Sequence, residues 1–264
     1  MTESNENQPN VNNSSQSTSP DHLDGDVAII TGASRGIGRA TAERLAADGA
    51  TVIINYHSNE EAAMAVRNSI ETIDGDAIIV QGDIRKEGDV KRLFEAAERE
   101  FGSVDIVVNA AAPPTIYKPL AEFTEAEFDR MFDVHAKGTF FILREAANRI
   151  TTGGRIVNFS TSGTNMRGPE GGPYNASKAA GEQLVSALAA ELGDRDIRVN
   201  SISPGLTDTD GVVIDDAAID TLVQQTPLDR PGHPEDIADV VAFLVSDDAR
   251  WITSHDLLAT GGLS

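Results

Sequence analysis

The sequence contains no cysteine and no long apolar run. The absence of cysteine from its 264 residues excludes disulfides, thiolate metal sites and a cysteine nucleophile. No stretch approaches the roughly 18 consecutive apolar residues that a membrane-spanning helix needs. The N-terminus lacks the basic and apolar regions of a signal peptide. We therefore expect a cytoplasmic protein with no membrane partner.

Positive charge is also scarce. The chain has 42 Asp and Glu against 21 Lys and Arg, of which five are lysine, and its net charge is −21. The acidic residues do not form one run, which speaks against a partner-binding acidic tail. An acidic surface adapted to a salt-rich cytoplasm fits better, because salt screens the repulsion. This charge argues against nucleic acid as a partner. The histidines lack metal-ligand spacing, so we expect no metal.

The N-terminal segment differs in composition from the rest of the chain. Residues 1–22 are rich in Asn, Ser and Gln and contain almost no apolar residues. Such a segment cannot bury enough apolar surface to order itself, so we expect a disordered polar tail. Residues 23–264 show no internal repeat and no second linker, which predicts a single domain.

Within this domain, short apolar runs alternate with amphipathic segments. The predicted strands are Val27–Ile30, Thr51–Ile54, Ala77–Val80, Val104–Val108, Arg155–Phe159, Ile197–Ile202 and Asp256–Ala259. The predicted helices are Gly38–Asp48, Asn59–Ile73, Glu87–Phe101, Thr124–Ile150, Tyr174–Leu192 and Pro234–Val245. Unalternated runs indicate parallel strands buried on both faces. The pattern predicts an α/β fold with a doubly wound, seven-stranded parallel sheet and helices on both faces. The longest irregular stretch, from about Pro204 to Asp216, is a candidate active-site lid, and the whole lid is expected to span Leu206–Thr226.

A glycine-rich turn follows the first predicted strand. It reads Thr31-Gly32-Ala33-Ser34-Arg35-Gly36-Ile37-Gly38 and leads directly into a helix. Glycines permit a tight turn and a close approach of the backbone to a pyrophosphate, which the N–H groups of the helix N-terminus can bind. The position between the first strand and the first helix indicates a dinucleotide site, although a plain structural turn is the alternative.

The end of the second strand indicates which dinucleotide is bound. NAD-binding folds place an acid there, on the ribose 2′-hydroxyl. Here Asn55 stands at that position, so no charge repels a 2′-phosphate. Ser34, Arg35, Tyr56 and Ser58 could hold that phosphate. We therefore expect NADP(H) rather than NAD(H).

Tyr174 and Lys178 form a candidate acid/base pair. They open a predicted helix four residues apart, and therefore share one helix face. A neighbouring ammonium favours phenolate, so we expect Lys178 to lower the pKa of Tyr174. The pattern alone is common, and a solvated helix face is the alternative.

Several motifs occur together in one order along the chain. They are Thr31–Gly38, Asp83, Asn109-Ala110-Ala111, the Tyr174/Lys178 pair, Asn200, and Pro204-Gly205 followed by Thr209. With these motifs the chain, from about Asp24 to Gly262, resembles the short-chain dehydrogenase/reductase family, in its branch similar to 3-oxoacyl reductases. The resemblance implies a Rossmann-like fold, NAD(P)(H) and reversible oxidation of alcohols. Family members are usually tetramers or dimers, so we expect a homo-oligomer.

The resemblance also implies roles for individual residues. Tyr174 would exchange a proton with the substrate oxygen, and Lys178 would bind the nicotinamide ribose. The implied cofactor contacts are Gly32, Ser34, Arg35, Gly36, Ile37 and Gly38 in the turn, then Asn55, Tyr56, Ser58, Asp83, Ile84, Asn109, Ala110, Ala111, Pro204, Gly205, Thr207 and Thr209. Asp83 and Ile84 would lie beside the adenine, and Asn109 and Ala110 near its ribose. The residues at the nicotinamide carboxamide would be Pro204, Gly205, Thr207 and Thr209.

Three positions depart from the family pattern. Ala111 replaces a glycine. Thr161 stands where the catalytic serine is expected, with Ser160 and Ser162 as the alternatives if the strand end is shifted. His135 replaces an asparagine that is thought to hold a relay water through its main-chain carbonyl. His135 could keep that relay or join it with its imidazole, or it could be a packed helix residue.

Together these features predict an oxidoreductase that moves a hydride between NADP(H) and a carbonyl or secondary alcohol of a small molecule. A ketone or 3-oxoacyl-type reductase is the leading interpretation. A sugar or alcohol dehydrogenase of the same fold, or a weakly catalytic NADP(H)-binding sensor, is the alternative. Fold-level analogy does not identify the substrate.

Overall fold

A seven-stranded parallel sheet forms the centre of the protein. The computed structural model describes residues 22–166, 169–209 and 216–263, without the side chain of Asp216. The strands are β1 (Val27–Thr31), β2 (Thr51–Tyr56), β3 (Ala77–Gln81), β4 (Ile106–Asn109), β5 (Arg155–Phe159), β6 (Arg198–Pro204) and β7 (Asp256–Ala259). Their order in the sheet is β3-β2-β1-β4-β5-β6-β7. The prediction of a doubly wound parallel sheet is confirmed.

Helices cover both faces of this sheet. They are α1 (Gly36–Ala47), α2 (Glu60–Glu71), α3 (Glu87–Phe101), α4 (Glu125–Phe132), α5 (Thr139–Arg149), α6 (Gly172–Leu192), α7 (Asp216–Gln225) and α8 (Pro234–Val245). Predicted strand bounds differ from those observed by at most two residues, a normal uncertainty at element ends. No helix in the described part of the chain is long and apolar enough to cross a membrane.

Alternate residues of the central strands pack into two hydrophobic cores. Ile30 and Val108 face the side that contains α1 and α8, whereas Ile29 and Val107 face α3, α5 and α6. All four side chains are fully buried. Burial on both faces explains why these strands show continuous apolar runs instead of alternation.

Two predicted segments differ from the structure. The predicted helix Thr124–Ile150 is divided by a π-helical segment, Asp133–Gly138, between α4 and α5. Apolar side chains continue on both sides of this segment, so the sequence pattern does not reveal it. The candidate lid, Leu206–Thr226, contains α7, which was not predicted. Residues 210–215 of that lid lie outside the described residues, as does the predicted tail except for His22.

Candidate active site at the carboxyl edge of the sheet

In the glycine turn between β1 and α1, other backbone segments lie very close to the glycine residues. Gly32 has a φ of +64°, and a Cβ built on it would lie 2.8 Å from the Ala111 Cα. A Cβ on Gly38 would lie 2.5 Å from the Gly32 carbonyl oxygen. The side chain of Arg35, which precedes α1, makes no capping hydrogen bond. The first N–H groups of α1 therefore remain available to an anion, as a pyrophosphate site requires.

Asn109, at the end of β4, ties the central elements together. Its amide donates to Thr139 Oγ1 at 3.0 Å and to Asn158 Oδ1 at 2.9 Å. Its carbonyl accepts from Thr31 Oγ1 at 2.8 Å, and that hydroxyl accepts from the backbone of Ala110 and Ala111. This buried network fixes the strand ends on which the glycine turn rests.

The segment after β6 returns to the glycine turn. A Cβ on Gly36 would lie 3.5 Å from Thr209 Cγ2, and one on Gly205 would lie 2.9 Å from Thr260 Cα. Buried Thr207 donates from Oγ1 to the Gly205 carbonyl at 3.1 Å. The two predicted cofactor elements, which are distant in sequence, therefore lie side by side around the start of α1.

The residues predicted to surround a 2′-phosphate divide into two groups. Asn55 is buried, and its amide donates to the carbonyls of Val80 and Gly82, both at 3.2 Å. Tyr56 is buried in the hydrophobic core. The ring of Tyr56 therefore serves packing, which corrects its predicted role as a phosphate ligand. Arg35 and Ser58 are exposed and Ser34 is half-buried, so these three are the accessible members.

Asp83 and Ile84 follow β3 at the predicted adenine position. Asp83 accepts from Arg85 Nε, whose N–H is shared between both carboxylate oxygens, and from Arg85 Nη2, and these bonds hold the pKa of the carboxyl below its usual range. Ile84 is buried, and its Cδ1 would lie 2.8 Å from a Cβ on Gly138. A glycine in the π-helical segment therefore allows this close packing.

The Tyr174 hydroxyl lies among hydroxyl groups. It hydrogen-bonds with Thr161 and with Thr115, and these bonds partly counter the effect of burial, which raises the pKa of Tyr174. Ser160 is turned away, because its Oγ donates to the Glu182 carboxylate. Ser162 lies in the following turn, Ser162–Thr164. Among the three candidate hydroxyl residues, Thr161 is therefore the one whose contact with Tyr174 the geometry supports.

Lys178 is one turn beyond Tyr174 and is buried. Its Nζ donates to the Phe159 carbonyl at 2.7 Å, and burial lowers the pKa of Lys178 to about 8 against the opposing effect of Glu182. The prediction that the Tyr174 pKa is lowered is wrong for the protein alone. Burial outweighs the hydrogen bonds that act on the phenol, so the pKa of Tyr174 is raised.

His135 lies in the π-helical segment against the same tyrosine. The centroids of the two rings are 5.5 Å apart, with the planes at 72°. Its Nδ1 is 3.0 Å from Ser177 Oγ, and its Nε2 has no hydrogen-bond partner among the described residues. Burial lowers the pKa of His135 to about 2, and the charge of Lys178 acts in the same direction. The imidazole is therefore neutral and does not carry a proton as imidazolium.

Sequence reasoning missed Thr115, Ser177 and Glu182. Ser177 and Glu182 could have been found, because each is three or four residues from Tyr174 or Lys178 on one helix face. Thr115 lies in an irregular segment after β4, and no local pattern brings it to Tyr174. The described residues contain no group of three His, Cys, Asp or Glu side chains that could hold a metal.

Comparisons with known proteins agree with this geometry. A family model described as Enoyl-(Acyl carrier protein) reductase matches residues 32–264. A short-chain type dehydrogenase/reductase from Picea abies is 42% identical over 251 residues, which cover 91% of this chain and 93% of that protein. The hydroxynaphthalene reductase-like protein Arp2 of Metarhizium robertsii is 38% identical over 265 residues, with coverages of 94% and 98%.

A solved structure is similar over nearly the same length. The angucycline C-6 ketoreductase LanV, solved with bound NADP, is 40% identical and superposes with a TM-score of 0.87. The match covers 92% of this chain and 96% of that one.

Proposed function

Because the chain belongs to the short-chain dehydrogenase/reductase family, we propose that it reduces a ketone with NADPH and that Tyr174 donates the proton. The chain is an oxidoreductase of that family acting on carbonyl or alcohol groups. The observation that carries the proposal is the contact of the Tyr174 hydroxyl with the Thr161 hydroxyl, one helical turn from buried Lys178. Acid, second hydroxyl and cation thus meet at the carboxyl edge of the sheet.

NADP(H) is the proposed cofactor. Gly32, Gly36 and Gly38 would receive the pyrophosphate, and Ser34, Arg35 and Ser58 the 2′-phosphate. The other proposed contacts are Ile37, Asn55, Asp83, Ile84, Asn109, Ala110, Ala111, Pro204, Gly205, Thr207, Thr209, Tyr174 and Lys178. NADP bound to the ketoreductase at 40% identity supports this choice. When bound, NADPH supplies the hydride that reduces the carbonyl carbon.

The chain's own residues supply orientation and the proton. The hydroxyls of Tyr174 and Thr161 donate hydrogen bonds to the substrate oxygen, which holds the carbonyl in place. The raised pKa of Tyr174 keeps the phenol protonated at neutral pH, so its proton is available for transfer. The Lys178 ammonium then stabilises the phenolate that forms, because opposite charges attract strongly where water is excluded.

His135 contributes as a neutral hydrogen-bond acceptor in this proposal. Its bare Nε2 would accept from a water in the relay that returns a proton to Tyr174, in place of the main-chain carbonyl alone. The edge contact between the two rings puts this acceptor next to the acid.

An uncharged ketone is the proposed substrate. The ring of Tyr117 lies 6.0 Å from that of Tyr174 and is 45% exposed, which offers an apolar wall beside the acid. Nearby Lys118 is paired with Glu127 at 2.7 Å. Relatives named as hydroxynaphthalene reductase-like and angucycline ketoreductase support a ketone. A 3-oxoacyl group on an acidic carrier protein is disfavoured by the net charge of −21.

A panel of ketones and alcohols run with both cofactors tests the proposal. We expect NADPH absorbance to decay with at least one ketone, faster than NADH absorbance. Tight NADPH binding without turnover on any ketone would instead favour the sensor. Faster turnover of NADP⁺ with a sugar or alcohol would favour a dehydrogenase.

A homo-oligomer with a salt-adapted surface is a further part of the proposal. Phe128 and Phe140, on α4 and α5, are each 42% exposed, and Trp251 is 96% exposed. Large exposed aromatic side chains are typical of interfaces between subunits. Light scattering at low and high salt tests both points. We expect a dimer or tetramer that is stable at high salt, and a monomer at every salt concentration would contradict it.

A further inference from the structure

Three titratable side chains lie at successive turns on one face of α6. Tyr174, Lys178 and Glu182 are spaced by four residues, so they lie above one another along the helix. Tyr174 and Lys178 belong to the proposed acid/base pair, whereas neither the proposed mechanism nor the family resemblance uses Glu182. Glu182 is therefore a titratable group with no assigned role directly behind the catalytic lysine.

The end of β5 and the residue after it bind Lys178 and Glu182, the two charged side chains on this face of α6. The Phe159 carbonyl accepts from Lys178 Nζ at 2.7 Å. The next residue, Ser160, donates from its Oγ to the Glu182 carboxylate. The last residue of β5 and the residue that follows it therefore hold the ammonium and the carboxylate, respectively.

The surroundings leave Lys178 with few opposite charges. Lys178 is 6% exposed, and burial without a partner would favour the neutral amine. His135 is close enough to feel its charge and is itself neutral, and Glu182 is the acid that favours the charged form of Lys178. Asp256 and His255 line a small cavity together with Glu182. Asp256 accepts the single proton of the Ser203 hydroxyl, whose Oγ lies 2.8 and 2.9 Å from the two carboxylate oxygens.

We infer that Glu182 is a positioning residue for catalysis, whose carboxylate, anchored by Ser160, keeps the buried Lys178 protonated. This inference rests on the proposed function for its catalytic consequence but not for the ionisation itself. Without the carboxylate, Lys178 would lose its proton at a lower pH. The developing phenolate of Tyr174 would then lack its stabilising cation.

Lysine titration by NMR tests the ionisation directly in the protein without substrate. The chain has five lysines, so selective labelling of lysine Cε gives few signals. The Lys178 signal is identified by its loss in Lys178→Arg. We expect Glu182→Gln to lower the titration midpoint of Lys178 by about one pH unit, the usual effect of a close opposite charge. Ser160→Ala keeps the Glu182 carboxylate but removes the hydrogen bond that anchors it. This variant should shift the Lys178 midpoint in the same direction by a smaller amount. Glu191→Gln, at the exposed end of α6, should not shift it.

The pH profile of kcat/KM tests the catalytic consequence. The pKa of Lys178 is about 8 in the native protein, so Lys178 is charged in half of the molecules near that pH. A fall of about one unit leaves roughly a tenth charged there, which predicts about a five-fold loss near pH 8 and little loss near pH 6. An unchanged Lys178 midpoint in Glu182→Gln would overturn the inference, as would an equal loss of activity at every pH. If NADPH turnover is absent altogether, the proposed function fails while the NMR result still decides the role of Glu182.

Discussion

Ser177 Oγ lies 3.0 Å from His135 Nδ1 and also donates to the Tyr174 carbonyl at 2.7 Å. A hydroxyl has one proton, so the bond to His135 must be donated by Nδ1–H. This fixes the neutral imidazole with a bare Nε2, the acceptor that we propose for the relay. A residue that replaces the family's asparagine is thus held in one tautomer by the helix that carries Tyr174, the proposed proton donor.

Replacing the imidazole tests that acceptor. We expect His135→Phe, which keeps the ring volume and the main-chain carbonyl, to lower kcat about ten-fold, the value of one hydrogen bond. His135→Asn restores an acceptor and should recover part of the loss. Because the pKa of His135 is about 2, the wild-type profile should show no His135 limb at neutral pH. Wild-type kcat in His135→Phe would mean that the main-chain carbonyl suffices.

Thr161 should act through its hydroxyl. Thr161→Val keeps the shape of the side chain but removes the donor to the substrate oxygen, so we expect kcat to fall on the order of 100-fold. Thr161→Ser keeps the hydroxyl and should stay within a few fold of the wild type. The comparison uses steady-state kinetics with NADPH and one ketone. Equal activity of the valine and serine variants would assign the role to another hydroxyl, such as that of Thr115.

The choice of cofactor should depend on Arg35. Arg35 is exposed and makes no ion pair within the described residues, so its guanidinium is available to a 2′-phosphate. We expect Arg35→Gln to raise the KM for NADPH about ten-fold or more, because one charge-assisted hydrogen bond is lost. The KM for NADH should be unchanged. Arg39→Gln is the matched control, since Arg39 pairs with Glu43 at 3.0 Å. An equal rise for both cofactors would show that Arg35 does not recognise the phosphate.

Activity should fall as the pH rises through the pKa of Lys178, which is about 8. Below that pH the ammonium is present and can stabilise the phenolate, whereas above it the amine is neutral. Lys178→Arg keeps its charge at every working pH, because arginine does not titrate in this range. The pH profile of Lys178→Arg should therefore lack this alkaline limb, although we expect its rate to be lower than that of the wild type. An unchanged alkaline limb in Lys178→Arg would assign that limb to another group.

The sequence predicted the parts of the fold that follow from local pattern. Continuous apolar runs such as Val27–Ile30 predict buried strands, and the repeated strand-helix units predict a doubly wound parallel sheet. The interruption at Asp133–Gly138 was missed because apolar side chains continue on both sides of it. Helix α7 was missed because its segment is acidic and lies next to irregular chain.

The site was predictable where its residues are close in sequence. The glycine turn and the Tyr174/Lys178 pair depend on spacing that the sequence displays. The raised pKa of Tyr174 was not predictable, since it depends on burial that only the packed fold creates. The same is true of Tyr56, whose ring is buried in the core instead of facing a phosphate.

The proposed reduction depends on the proton transfer by Tyr174, and the Tyr174→Phe variant removes the transferred proton. The measurement is single-turnover reduction of a ketone by NADPH that is already bound, with the Kd for NADPH determined in parallel. We predict a loss of about 100- to 10,000-fold in the rate of the chemical step, the range for removal of a general acid, with little change in that Kd. A Tyr174→Phe enzyme that reduces the ketone at the wild-type rate would rule out Tyr174 as the proton donor.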